Sequence, residues 1–208
     1  MKLEELRNIQ KKIAKRIILR DQLKDVRSVA GFDLSYKGKE GTCAGVVLDN
    51  NFNLIEKKIV KDKISFPYIP TFLSFREGPL IIKTYKELEN KPDLLLIDGN
   101  GILHPYKAGI ASHVGVILNK PTIGVAKKLL LGTYKKIKEV GESQRIRVNN
   151  KILGFALLTK KNCNPIYISP GHKISLKTSL EIVKSLVRNK IPEPLRLAHV
   201  YAGKYQNK

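Results

Sequence analysis

Apolar residues recur at three- and four-residue intervals over 3–19, where Leu3, Leu6, Ile9, Ile13 and Ile17 share one face and Lys11, Lys12, Lys15 and Arg16 fall largely elsewhere. That spacing predicts an amphipathic surface helix whose charged side is either solvated or turned toward a polyanion. After Arg27 the period shortens. Residues 28–36, 42–49 and 54–62 are β-rich and are separated by turn-like segments at 37–41 and 49–53, which predicts a three-stranded antiparallel meander. In the first of these strands Ala30, Phe32, Leu34 and Tyr36 share one face, and Gly31, Asp33 and Ser35 share the other.

The loop Pro67-Tyr68-Ile69-Pro70 leads into a helical stretch over 71–89 that Gly78-Pro79 interrupts. Leu94 to Ile97 is an unbroken apolar run, as in a strand buried on both faces, and 109–118 followed by 121–126 reads as helix then strand. A hairpin around Asn149-Asn150 joins 145–149 to 152–159, and 175–189 forms a helix with Ser175 as N-cap. Three antiparallel strands followed by alternating helices and strands predict one α/β domain over 1–208. Its mixed sheet carries three antiparallel strands, then parallel strands, with helices on both faces. The helix at 3–19 and a basic tail at 196–208, partly disordered, are its appendages.

With 42% hydrophobic and 27% charged residues the chain has enough apolar side chain for a core, which excludes a disordered or collagen-like segment. Lys and Arg number 39 against 18 Asp and Glu, a net charge of +21 that makes nucleic acid the leading partner and a membrane surface the second. No run approaches the roughly 18–20 apolar residues of a spanning helix. The N-terminus lacks the apolar core of a signal peptide, and Cys43 and Cys163 are too few for a disulfide scaffold. A cytoplasmic protein is expected.

Few residues offer chemistry. Asp33 lies mid-strand, where a carboxylate is either solvated or paired with a cation. Asp98 ends the buried run, at the place where binding residues collect in α/β sheets, although Asp98-Gly99 and Asn100-Gly101 are also ordinary turn dipeptides. Glu77 precedes the Gly-Pro break, which can aim it at the sheet. Lys127 follows a strand, and His172 stands in a loop before a helix; each alone is more often a surface residue. There is no nucleophile elbow, phosphate-binding glycine loop, His-Glu-x-x-His helix or paired-cysteine site. Oxygen ligands select hard cations, Mg²⁺ or Mn²⁺, so a metal-dependent nuclease follows.

Several strings resemble the endonuclease V family of deaminated-base nucleases over most of the chain. They are Pro67-Tyr68-Ile69-Pro70 with Leu73-Ser74-Phe75-Arg76-Glu77-Gly78-Pro79, Pro92-Asp93, Asp98-Gly99-Asn100-Gly101, His104-Pro105, Gly109-Ile110-Ala111-Ser112-His113, Pro121 to Lys128, Asn164-Pro165 and Gly171-His172-Lys173. The chain departs from the family's commonest pattern at Thr71, where Gly is usual, and at Tyr106, where Arg is usual. The resemblance implies an RNase H-like fold and Mg²⁺, with Mn²⁺ as a substitute, held by Asp33, Asp98 and Glu77. It places Lys127 and His172 near the scissile phosphate and makes Tyr68, with Pro67, Ile69 and Pro70, a strand-separating wedge. It sets Leu73, Gly99, His104, Gly109 and Ile110 around a pocket for an everted base.

The activity so implied is hydrolysis, by a monomer, of the second phosphodiester 3′ to a deaminated base, chiefly hypoxanthine in DNA, leaving 3′-hydroxyl and 5′-phosphate ends. Two rivals stand beside it: cleavage of inosine-containing RNA by the same chemistry, and a basic nucleic-acid-binding module without catalysis. Metal-independent binding would mark the second.

Overall fold

The computed structural model describes Lys2 to Gln206, so Met1, Asn207 and Lys208 of the expected domain lie outside the described residues. The strands are β1 (Ser28–Lys37), β2 (Glu40–Asp49), β3 (Leu54–Lys63), β4 (Leu94–Asp98), β5 (Thr122–Ala126), β6 (Ser143–Val148), β7 (Lys151–Leu157) and β8 (Ile166–His172). The helices are α1 (Leu3–Arg16), α2 (Leu73–Arg76), α3 (Gly78–Glu87), α4 (Ile110–Leu118), α5 (Leu176–Leu186) and α6 (Glu193–Gln206). All these strands join one sheet in the order β3-β2-β1-β4-β5-β8-β7-β6. The meander at one edge is as expected from the pattern, and β1, β4 and β5 run parallel at the centre.

The apolar run in β4 is buried because alternate residues serve opposite cores. Leu95 and Ile97 pack with Ala30, Phe32, Ile81 of α3 and Val114 of α4, while Leu94 and Leu96 pack with Val29, Val125, Val183 of α5 and Leu195 of α6. Layers on both sides leave a central strand no solvated face. Helix α1 packs on α4, with Ile13 against Val116, which makes it an outer layer on that side. It ends at Arg16 rather than at residue 19, since Ile17 is extended. Asn149 and Asn150 both adopt left-handed backbone, φ 46° and 63°, as a two-residue hairpin turn requires. The Ser175 hydroxyl caps α5 by accepting from the Thr178 amide at 3.2 Å.

Two sequence expectations are corrected. The first is the basic tail: residues 193–206 form α6, which lies across β1 and β2 with Ala198 and Ala202 buried on Ala44, Val46 and Leu48. The face of β1 bearing Gly31, Asp33 and Ser35 is therefore covered. Gly31 makes room for the helix, since a Cβ there would sit 2.3 Å from the Pro194 carbonyl. The tail reads as disordered because of its basic residues and Gly203, yet alanines at four-residue spacing suit close approach to a glycine-bearing strand.

The second is the loop expected at 169–173 around His172: residues 169–172 belong to β8 (Ile166–His172). The strand lies antiparallel between β5 and β7 and is buried along its whole length, so it shows no polar alternation. Pro170-Gly171 reads as a turn, but Pro170 falls where the pairing with β5 shifts register, a place at which a missing amide is tolerated.

Candidate active site

Parallel register builds the acidic centre. Phe32 pairs with Ile97 and Asp98 with Val125, so one further step along β1 brings Asp33 beside Asp98. Asp33, Asp98 and Lys127 share strand parity with Val29, Leu94 and Ile123, and all three point to the α5–α6 side at the carboxyl ends of adjacent parallel strands, where α/β sheets hold their ligands. Lys127 Nζ donates to Asp98 Oδ2 at 2.5 Å. From above, His199 of α6 places Nδ1 2.7 Å from Asp33 Oδ2, and the Leu34 amide donates to Asp33 Oδ1 at 2.8 Å.

Glu77 arrives from the other side of the sheet. It is the single residue between α2 and α3, and Pro79 at the start of α3 forces the break. Tyr36 donates its hydroxyl to Glu77 Oε1 at 2.5 Å, and the Arg76 guanidinium lies 4.5 Å from the Tyr36 ring centre.

The carboxylates repel. Burial, and then the charge of Asp98, raise the Asp33 pKa despite Lys127 and His199. Burial pushes Glu77 up to about 7, with Asp33 and Asp98 adding to the rise against the Tyr36 bond. Lys127 is partly desolvated, which disfavours its charge, but Asp98, Asp33 and Glu77 outweigh this and raise its pKa. Three hard oxygen donors in mutual repulsion suit a hard divalent cation. Among the described residues no three Asp, Glu, His or Cys side chains yet stand at ligating distance. Lys127 and His199 hold one oxygen each of Asp98 and Asp33.

His172 is not part of this centre. It pairs with Thr122 at the start of β5, whereas Lys127 follows the end of that strand. It is buried, its Nδ1 accepts from the Ile18 amide at 3.3 Å, and desolvation, with Lys173 and Arg16 nearby, lowers its pKa to about 4. Its position in a strand, unreadable without β8, explains the misplacement.

Across the Asp98–Gly101 loop lies a cavity of about 90 Å³, lined by Tyr68, Leu73, Ser74, Asn100, His104 and Ile110 with Gly109 and Leu130 at its margin. Gly99 borders it, with φ 138°, and a Cβ there would be 2.5 Å from Ile110 Cγ2. Ser74 Oγ and Asn100 Oδ1 are buried in the cavity wall with no hydrogen-bond partner. Groups left so cost roughly 1–3 kcal/mol each unless something completes them.

Tyr68 is 69% exposed at the cavity rim, on the proline-framed loop. The loop's hinge is Thr71, held in left-handed backbone at φ 71°. Its carbonyl accepts from Gln10 Nε2 at 2.6 Å and from His104 Nε2 at 3.0 Å, and its hydroxyl accepts from Arg7 at 2.7 Å. His104 Nδ1 accepts from the Tyr106 amide, so the ring is neutral with its proton on Nε2; burial lowers its pKa to about 4. The Arg7 guanidinium also stacks on Phe72 and Tyr106, 3.9 and 4.4 Å from their ring centres.

Residues 11–200 match the family model described as Endonuclease V. This chain belongs to the Endonuclease V family. The Endonuclease V of Dictyoglomus thermophilum is 47% identical over 209 residues, covering 98% of this chain and 91% of the relative. The Bacillus subtilis Endonuclease V structure has a TM-score of 0.92 at 36% identity and covers 100% of this chain and 94% of its own. The Ciona intestinalis Endonuclease V, solved with a 24-mer DNA containing an inosine followed by a ribo-adenosine, gives 0.88 at 32% identity, covering 99% and 98%. The expected RNase H-like mixed α/β sheet is thus that of Endonuclease V structures.

For this Endonuclease V chain the sequence reading placed Asp33, Glu77, Asp98 and Lys127 together, as they are. The residues expected around a base pocket meet at one cavity: Leu73, His104, Gly109 and Ile110 line it and Gly99 borders it, while Tyr68, expected as a wedge, stands at its rim. Missed were His199, Tyr36, Ser74 and Asn100. His199 carries a usable signal: it lies four residues after Leu195 and three before Ala202, on the strand-facing side of α6. Among the described residues no helix is long and apolar enough to cross a membrane.

Proposed function

We propose that the protein is a DNA repair endonuclease of the cytoplasm that everts a deaminated base, chiefly hypoxanthine, into the cavity beside Tyr68. It then hydrolyses the second phosphodiester 3′ to that base, leaving 3′-hydroxyl and 5′-phosphate ends. The observation that carries this reading is the pairing of the unpartnered Ser74 Oγ and Asn100 Oδ1, in an otherwise tight cavity, with a carboxylate row across the same loop. A purine edge bearing both donors and acceptors completes the two orphaned atoms. The Ciona relative, solved with inosine-containing DNA, supports the same substrate class. One chain carries both halves of the site, so a monomer suffices.

Tyr68 fills the gap in the stack, and its flanking prolines keep it stiff; unstacking costs a few kcal/mol, less where deamination has weakened the pair. Asp33, Asp98 and Glu77 would hold Mg²⁺, or Mn²⁺ in its place, which when bound supplies charge stabilisation at the phosphate. Lys127, released from Asp98, neutralises a non-bridging phosphate oxygen. His199 Nδ1, beside Asp33, is placed to orient or relay the proton of the attacking water. Tyr36 orients Glu77.

The test is cleavage of matched inosine-DNA, inosine-RNA and undamaged strands with Mg²⁺, with Mn²⁺ and with EDTA. Cleavage of inosine-DNA that EDTA abolishes is expected. Preferential cutting of the RNA would make the protein an inosine-specific endoribonuclease, and equal binding with no cutting would make it a binding module.

A further inference from the structure

A groove of about 620 Å³ opens at the β6 edge of the sheet, lined among others by Tyr134, Lys135, Arg145, Arg147 and Phe155. Arg145 and Arg147 flank Ile146, which is fully buried in the core behind them, so both arginines project from the opposite face. Arg145 pairs in register with Phe155 of β7. Lys135, Arg145 and Arg147 are exposed, and among the described residues none has a carboxylate within ion-pair distance. The nearby Glu142 accepts instead from the Lys138 amide and from Gln144. Three uncompensated cations beside the half-buried Phe155 ring, with the Tyr134 ring packed behind them against Tyr167, match a nucleic-acid strand, phosphates on the cations and a base face on Phe155.

The groove is linked to the site already described by a single chain segment. Residues 127–135 form a strap that begins with Lys127 on Asp98 and passes Leu130 at the small cavity. The strap is then stitched to β6 by paired backbone bonds between Thr133 and Arg147, at 3.0 and 2.9 Å. Nine residues of strap reach at most about 30 Å, the length of several nucleotides.

We propose that this groove is a second nucleic-acid contact, which holds the phosphate backbone of the substrate strand several nucleotides from the bond that is cut. The inference rests on the nuclease reading above and adds to it where affinity for long substrates resides. A strand tethered at both the cavity and the groove cannot slide while the base is everted.

The test compares wild type with Arg145→Glu/Arg147→Glu in anisotropy titrations over a salt series, in Ca²⁺. The probes are inosine strands of about 30 and about 8 nucleotides and a 30-nucleotide strand without inosine. The variant should bind both long strands about tenfold more weakly, with a log–log salt slope shallower by about 1.4 for two lost phosphate contacts on single strands. The short inosine strand should bind as it does to wild type. Lys58→Glu/Lys63→Glu, which changes the charge equally at the opposite edge strand β3, should lose less than half as much. If the reversals disturb melting, Arg145→Gln/Arg147→Gln makes the same comparison with the same expected slope change, since it loses the same two contacts. An unchanged slope on the long strands, an equal loss on the short strand, or an equal loss in the β3 control would overturn the groove. Absence of inosine preference in wild type would instead defeat the nuclease reading, while the undamaged strand still reports on the groove.

Discussion

The two halves of the site sit on opposite sides of the Asp98–Gly101 loop and are built on opposite principles. The acidic row is electrostatically unsatisfied: Asp33 and Glu77 are pushed toward their protonated forms, and Lys127 and His199 take up the charge that a cation would balance. The cavity beside it is sterically tight, with Gly99 in left-handed backbone against Ile110 and two polar atoms unpaired. The row should tolerate changes of shape and not of charge, and the cavity neither bulk nor the loss of its rim. Chemistry and recognition therefore separate, and substitutions can break one while sparing the other.

The largest effect should come from removing a charge in the row. Asp98→Asn or Asp33→Asn is expected to lower nicking by at least about 10²–10³-fold, while binding to inosine DNA holds or tightens because the basic surface is untouched. Nicking assays run beside gel shifts decide it, and near-normal nicking by either variant would remove that residue from the row.

On the other side of the loop, Tyr68→Ala should leave chemistry on a saturated single-stranded substrate intact and weaken binding to a lesion in duplex DNA by about 1–3 kcal/mol, or roughly 5- to 150-fold. The loss should shrink on single strands, where no separation is needed. Equal losses on the two would contradict a wedge.

The row should also reveal itself through pH. Glu77 titrates near 7 in the fold and about 4.5 in a free chain, so the native state favours its protonated form. That contribution to stability is complete below about 4.5 and is lost as pH rises through about 7. Between pH 5 and 8 the metal-free protein should lose a few °C of Tm that Glu77→Gln retains, and Mg²⁺ should restore the loss only above pH 7. Parallel melting curves for the two proteins would disprove the raised pKa.

The smallest effect separates the two histidines. His199→Ala should slow nicking by about 10²-fold, the lower end of what a proton-transfer group contributes. His172→Ala should change it by no more than about twofold once stability is matched, because its ring lies at the far end of β5. A larger kinetic loss at His172 than at His199 would reverse the assignment.

Much of this was legible in the chain. Strands spaced by turn residues and the Gly78-Pro79 break that presents Glu77 are local signals, and hydrophobic period and turn chemistry act over a few residues. Motif order carried Asp33, Asp98, Lys127 and the cavity residues to one place. The missed elements share a physical cause. β8 has no alternation because neighbouring strands and helices bury both its faces. The helix α6 gains its stability from the glycine-lined face of β1 and not from its own pattern, so in isolation it reads as a basic tail.

By itself, then, the sequence determined which groups are available: three carboxylates, a lysine, a stiff tyrosine and a strongly basic surface. Only the tertiary structure decided their company. Parallel register set Asp33 beside Asp98, the docking of α6 put His199 there in place of His172, and loop packing left Ser74 and Asn100 unpaired in one cavity. The reason is that such pairings depend on contacts between residues far apart in the chain, whose partners are chosen by burial and register and leave no mark on the local pattern.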